Sequence, residues 1–249
     1  KHLNNQYTDS WCSFLPNNVT YVDGRYGAIC KGVNYNNQIH FLQEGGFGLI
    51  AVNERVSTVD QTGNTLVLGT GDALGRYGYI SYNTGTTEKT SVVVSGAGLH
   101  FFDTNSKKWM VYTQGSPTAL SDVKGLIGYF NDFIENYQSD GHSQLKGRRY
   151  GIVAVNDNIH NRVITTFIKT PGLVAFPTPT YATVSYNMFQ SAFESFLDCH
   201  SPLYTTYKND ILMVNPSDLS ECWYGQRGNK STFYGVLYDT YIQLISTLR

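Results

Sequence analysis

The chain has 249 residues with 18 basic and 19 acidic side chains, and its formal charge of −1 excludes a whole-molecule field that would hold nucleic acid or an anionic membrane surface. Only 15% of residues are charged while 14% are aromatic, including 19 Tyr, which excludes a disordered, charge-rich tail. No run of eighteen apolar residues is present, so no helix of the sequence spans a bilayer.

The first ninety residues read as short strands divided by glycine. Gln38–Leu42 runs into Gly45 and Gly46, Gly48–Val52 follows, and Thr65–Leu68 comes after the turn signal Gln61-Thr62-Gly63-Asn64. The Gly-rich stretch Gly69–Gly75 has the spacing of a dinucleotide loop for its first two glycines. A phosphate-binding loop needs a helix behind it, whereas Tyr77–Tyr82 reads as a strand. An ordinary loop is therefore expected there.

The clearest hairpin comes next. Val92–Ser95 meets Gly96-Ala97-Gly98, then Leu99–Phe102, a turn at Asp103–Ser106, and the return Lys108–Tyr112. Apolar residues at Val123, Leu126, Ile127, Phe130, Phe133 and Ile134 then change to helical spacing behind Ser121 or Asp122 as N-cap, predicting one short helix near residues 122–136 laid against a sheet. Two glycines within it cost roughly 1 kcal/mol each relative to Ala. Beyond the loop Gln138–Ser143 stands the basic cluster Lys146, Arg148 and Arg149, either a solvated loop or a candidate lining for a nucleic-acid channel or a contact with a neighbour's acidic groups.

The pattern of strand, Asn/Asp turn and strand then recurs. Tyr150–Val155 turns at Asn156–Asn158 into Arg162–Phe167, and Thr183–Tyr186 turns at Asn187–Gln190 into Ala192–Phe196. Ile211–Val214 turns at Asn215–Asp218 into Glu221–Tyr224, and Tyr241–Ile245 is a final strand-like run. Repetition of one hairpin unit predicts an all-β fold of antiparallel, β-propeller-like blades. The expected division is an N-terminal β-rich segment over 1–90 and blades over 91–249. Both ends read as cut, so a piece of a longer polypeptide is expected.

Catalytic signatures are absent from the sequence. Cys12, Cys30, Cys199 and Cys222 lack the clustered spacing of a zinc site and read as small buried thiols. His2, His40, His100, His142, His160 and His200 are mutually isolated and read as turn or surface residues. A sialidase-type Asp turn is approximated by Asp103–Trp109, but its Gly and Thr are missing, as is an arginine triad. A nucleophile elbow, a P-loop and a zincin motif are likewise missing. No catalytic, cofactor or metal residue is assigned, and no enzyme activity is expected.

Longer phrases carry a resemblance. Leu99–Trp109, followed by Ala119-Leu120-Ser121-Asp122 and Tyr129-Phe130, resembles a strand, turn and aromatic unit of large tail proteins in crAss-like podoviruses. Val184–Asn187 with Ala192–Phe196 is similar to a hairpin of the same proteins, with Met188 and Glu194 where Glu and Thr are usual. Asn229–Gly235 leading into Tyr241-Ile242 is similar to their closing strand pair. The resemblance spans roughly residues 90 to 245 and does not include the first ninety. It implies a muzzle- or nozzle-type virion structural protein of the phage tail, forming a homo-oligomeric ring around the DNA ejection channel, without a cofactor. Implied partners are further copies, other tail proteins, the rest of the same polypeptide and, transiently, ejected DNA. The alternative reading is a receptor- or glycan-binding tail-tip module, with Tyr77, Tyr79, Tyr82, Trp109, Tyr112 and Trp223 as stacking candidates.

Overall fold

Alternation of apolar and polar residues between Asn, Asp and Gly turns becomes antiparallel strand almost everywhere. The computed structural model describes residues 19–52, 56–59, 65–68, 74–134, 151–169, 180–225, 227–229 and 231–238. The chain divides into two compact units, residues 1–85 and 86–249.

The first unit holds β1 (Ile29–Tyr35), β2 (Gln38–Gln43), β3 (Phe47–Val52), β4 (Val56–Val59), β5 (Thr65–Leu68) and β6 (Leu74–Ser81). β1, β2, β3 and β6 form one antiparallel sheet in that order, and β4 and β5 form a separate hairpin. The β1–β2 turn places Asn36 and Asn37 at φ 51° and 59°, the left-handed region that Asn tolerates. Phe41, Leu42 and Phe47 are its buried apolar centre. Gly48 is required there: a Cβ would lie 2.5 Å from both the Gly78 carbonyl oxygen and Phe41 Cζ.

The second unit is a series of meanders. β7 (Val93–Ser95), β8 (Gly98–Asp103), β9 (Lys108–Tyr112) and β10 (Thr118–Ala119) form one four-stranded sheet. β11 (Ile152–Asp157), β12 (Arg162–Lys169), β13 (Thr180–Asn187) and β14 (Ala192–Leu197) form a second, and β15 (Tyr204–Tyr207), β16 (Asp210–Val214) and β17 (Cys222–Tyr224) form a third, of three strands among the described residues. A small hairpin, β18 (Thr232–Phe233) and β19 (Val236–Leu237), follows.

Within the middle sheet, β11 and β12 are buried on both faces because they are apolar at consecutive positions, whereas β14 is partly exposed. On one face Ile152, Val163, Phe167, Val184 and Tyr186 pack with Phe102 and Trp109 of the preceding sheet. On the other, Val153, Val155, Ile164 and Ile168 pack with Tyr204, Ile211 and Met213 of the following sheet. The three sheets are thus stacked face to face in chain order. Their first strands also converge. β11 contacts both β7 and β15, and an open cleft of about 300 Å³ is lined by Val93 and Val94, Ala154, Val155 and Asn156, and Tyr204, Thr205 and Thr206.

The fold is mostly β in several antiparallel sheets, and among the described residues these do not close into a ring or barrel. The helical stretch differs from expectation. Two short helices, α1 (Leu120–Val123) and α2 (Ile127–Ile134), replace a single one. Gly125, at φ 85°, interrupts them, with the Lys124 and Leu126 N–H groups donating to the carbonyls of Leu120 and Ser121. Ala119 is the N-cap instead of Ser121 or Asp122; Ser121 is buried inside α1 and Asp122 pairs with Lys108 Nζ. Packing against the sheet is as expected: Phe130 lies within 6.1 Å, ring to ring, of Phe102, Phe167 and Phe193.

Candidate interaction surfaces

Three of the repeated Asn/Asp turns, led by Asp103, Asp157 and Asn187, share one construction. The first residue accepts backbone N–H bonds on its side-chain oxygen, and a residue near the end of the turn adopts positive φ. Asp103 Oδ1 accepts from Asn105 N–H at 3.0 Å, with Lys107 at φ 56°. Asp157 Oδ1 accepts from Ile159 and His160 N–H, each at 3.2 Å, with Asn161 at φ 51°. Asn187 Oδ1 accepts from Phe189 N–H at 2.9 Å and Gln190 N–H at 3.0 Å, with Ser191 at φ 51°.

Asp157 is fully buried and also accepts from Arg162 Nε at 2.8 Å and bonds His160 Nδ1 at 2.9 Å. Burial alone would raise its pKa. The bonds from Arg162 and His160 and the Arg162 charge outweigh that and hold it below the usual carboxylate value. Two of these turns lie side by side, joined by Met188 N–H donating to the Asn161 carbonyl at 2.9 Å. Their tips present Ile159 and Phe189 to solvent, the latter 91% exposed.

Between the second and third sheets lies a buried polar joint. Thr166 Oγ1 is 2.7 Å from Thr183 Oγ1 and 2.6 Å from Tyr204 OH, and Thr183 Oγ1 is 2.8 Å from His200 Nδ1. Tyr234 OH donates to the His200 carbonyl at 2.8 Å. Burial raises the pKa of both tyrosines and lowers that of His200. The arrangement is a structural tie of neutral hydroxyls. A second tie holds the first unit: the buried Gln43 donates to the carbonyls of Asp23 and Gly27 and accepts from Tyr79 OH at 2.6 Å.

Several sequence expectations change here. His40 and His100 are core residues instead of turn or surface residues, both 1% exposed or less. His100 bonds Ser95 Oγ at 2.9 Å, and burial pushes its pKa down to about 4. His160 is a turn residue, and His200 is half-buried. Cys199 is buried as expected, and burial raises its thiol to about 11, but Cys222 is exposed. Of the stacking candidates, Trp109 and Tyr112 are core, whereas Tyr77, Tyr82 and Trp223 are exposed. Tyr26, Tyr79 and Tyr82 form an aromatic cluster with centroids 4.8 to 5.7 Å apart. Among the described residues no group of three or more His, Cys, Asp or Glu side chains is placed to hold a metal ion. No described helix is long and apolar enough to cross a membrane. The cluster Lys146, Arg148 and Arg149, together with His2, His142 and Cys12, lies outside the described residues. The Asx geometry of the turns was signalled by their leading Asp or Asn; the buried Thr/Tyr/His joint had no sequence signal, since its members are far apart in the chain.

Comparison with known proteins bears directly on the resemblance. The muzzle protein of Bacteroides phage crAss001 is 29% identical over 118 residues, covering 47% of this chain and 8% of the relative's length. The chain therefore spans a small part of that protein. The crassvirus muzzle protein family matches residues 1–217. That match corrects the expected extent, because it includes the first ninety residues and stops before the Asn229–Ile242 phrases. A match over most of the chain, through both units, makes this chain a member of the crassvirus muzzle protein family.

Proposed function

We propose that the chain is a virion structural component of a phage tail, acting as part of a muzzle-type ring around the DNA ejection channel. The carrying observation is the face-to-face stack of meander sheets whose first strands, β7, β11 and β15, converge on one cleft. In a propeller each blade packs on the next and the first strands face the axis. The three sheets of the second unit are then successive blades. Membership of the muzzle family supports placing those blades in a tail assembly. The role is mechanical and needs no cofactor or catalytic residue. Rigid Asx turns and buried polar ties hold neighbouring sheets in fixed relation, as a ring under load requires.

Further copies of the chain, other tail proteins and the remainder of the muzzle polypeptide are the proposed partners. Lys146, Arg148 and Arg149 are proposed to face the channel and to meet the DNA phosphates transiently. Imaging of intact virions by electron cryomicroscopy tests the reading: density for this sequence in a closed ring at the tail supports it, and density elsewhere overturns it.

A second reading, glycan binding at a tail tip, is favoured by the aromatic cluster of Tyr26, Tyr79 and Tyr82, with Tyr82 61% exposed. Glycan-array binding that is lost in Tyr82→Ala would favour it over the first.

A further inference from the structure

In the first unit, the turn before β1 and the end of β6 bring a polar pair beside an aromatic cluster. Gly24–Tyr26 is a single 3-10 turn capped by Asp23, whose Oδ1 accepts from Arg25 N–H at 3.0 Å. Asp23 Oδ2 accepts from Arg25 Nε at 2.9 Å and from Arg25 Nη2 at 2.6 Å. The Arg25 side chain is 80% exposed. Its bonds, from the side chain and then the backbone N–H, hold the Asp23 carboxyl below its usual value, so the group is ionised at neutral pH. With Nε and Nη2 turned to the carboxylate, the Nη1 N–H groups point away from it, and the carboxylate keeps lone-pair capacity. The pair therefore offers a donor and an acceptor side by side while its charges cancel.

Aromatic rings lie next to it. The Arg25 guanidinium carbon is 6.0 Å from the Tyr26 ring centroid, and Tyr26 is 4.8 Å from Tyr79 and 5.7 Å from Tyr82. Tyr82 stays 61% exposed. The surroundings fix this geometry. Tyr79 OH donates to the buried Gln43 Oε1 at 2.6 Å, and the Gln43 amide donates to the Asp23 and Gly27 carbonyls at 3.0 and 2.8 Å. Gly45 N–H donates to the Tyr26 carbonyl at 2.9 Å. Gly46 lets the rings approach, since a Cβ there would lie 3.0 Å from Tyr79 Cε1 and 3.1 Å from Tyr26 Cβ. Turn, rings and ion pair are thus ordered by folding, which lowers the ordering cost of binding.

We propose, as an extension that rests on the glycan-binding reading, that Asp23, Arg25 and Tyr82 form a site for an uncharged hexopyranose. Such a ring has an apolar C–H face and a rim of hydroxyls, each both donor and acceptor. The C–H face lies on the Tyr82 ring, and neighbouring rim hydroxyls donate to the Asp23 carboxylate and accept from Arg25 Nη1. A sugar carboxylate or sulfate is disfavoured. The Asp23–Arg25 pair has no net charge to attract it, and Glu44, which stands over Gly27 beside the turn, adds a like charge.

The test titrates the full 249-residue chain with the methyl β-glycosides of galactose, glucose and N-acetylglucosamine, and with the uronates of the first two, read by saturation-transfer NMR. Binding of at least one neutral glycoside is expected, with the matching uronate at least about threefold weaker. Tyr82→Ala should weaken the neutral glycoside by about tenfold or more and Arg25→Ala by about three- to tenfold. Both side chains are exposed, so the urea midpoint of each variant should stay at the parent value. A uronate that binds as tightly as its neutral parent, or an Arg25→Ala variant with parent affinity, would overturn the proposal while leaving glycan binding in place. Failure of every glycoside to bind would overturn both.

Discussion

At the residue scale, buried titratable groups set the pH response. His100 is fully buried and its pKa falls to about 4 from 6.5. Between those values the unfolded chain binds more protons than the folded one. Stability is therefore complete above pH 6.5 and declines as pH falls toward 4, by on the order of 3 kcal/mol. Burial lowers His40 and His200 in the same direction. Urea titrations at pH 7 and pH 4.5 should show a smaller stability difference for His100→Gln than for the parent chain; an unchanged difference would remove His100 from the account. Asp157 acts with the same sign at lower pH. Its lowered pKa gives stability that is present above pH 4 and lost as pH falls further. Asp157→Ala should cost about 2–3 kcal/mol at pH 7, because it frees Arg162 and unmakes charge-assisted bonds to the turn. The same variant should flatten the stability curve below pH 4. The sequence marks Asp157 as a turn residue, but the burial of His40 and His100 has no signal in the spacing of the histidines themselves. Their alternation with Phe41, Leu99, Phe101 and Phe102 puts them on the apolar run of a strand buried on both faces.

At the element scale, hairpins were legible because each is specified locally. The turns at Asp103, Asp157 and Asn187 carry their own acceptor and a residue able to take positive φ, and the strands beside them follow as expected. The helix was less legible. Its apolar spacing matches the packing, but Gly125, at φ 85°, is the terminator of α1 and not a weak residue inside one helix. Gly125→Ala should cost about 1–2 kcal/mol through the left-handed conformation, measured by urea denaturation, with an unchanged midpoint contradicting the assignment. Phe130 joins α2 to three sheet residues, Phe102, Phe167 and Phe193, and should cost more. Phe130→Ala is expected to lose about 3–5 kcal/mol. A loss below 1 kcal/mol would mean that α2 does not belong to this core.

At the scale of the whole molecule, the sequence showed repetition but not arrangement. Repeated hairpins are compatible with sandwiches, barrels and propellers alike. The difference lies in which faces pack, and in the middle sheet both do: Ile152 and Val153, or Val163 and Ile164, point to opposite cores. Continuous apolar runs in β11 and β12 were the available signal for that double burial. The proposed placement of β7, β11 and β15 toward an axis follows from the same stack. If the basic cluster faces a DNA channel, replacing Lys146, Arg148 and Arg149 with Gln should reduce the salt dependence of DNA binding by up to about three phosphate equivalents, measured by titration across salt concentrations. An unchanged slope would place the cluster away from DNA. The central claim is tested most directly by electron cryomicroscopy of the virion at a resolution that traces side chains. The account predicts a closed ring at the tail in which β7, β11 and β15 are the innermost strands of successive blades. Density showing this chain outside any ring, or with those strands facing away from the axis, would contradict it.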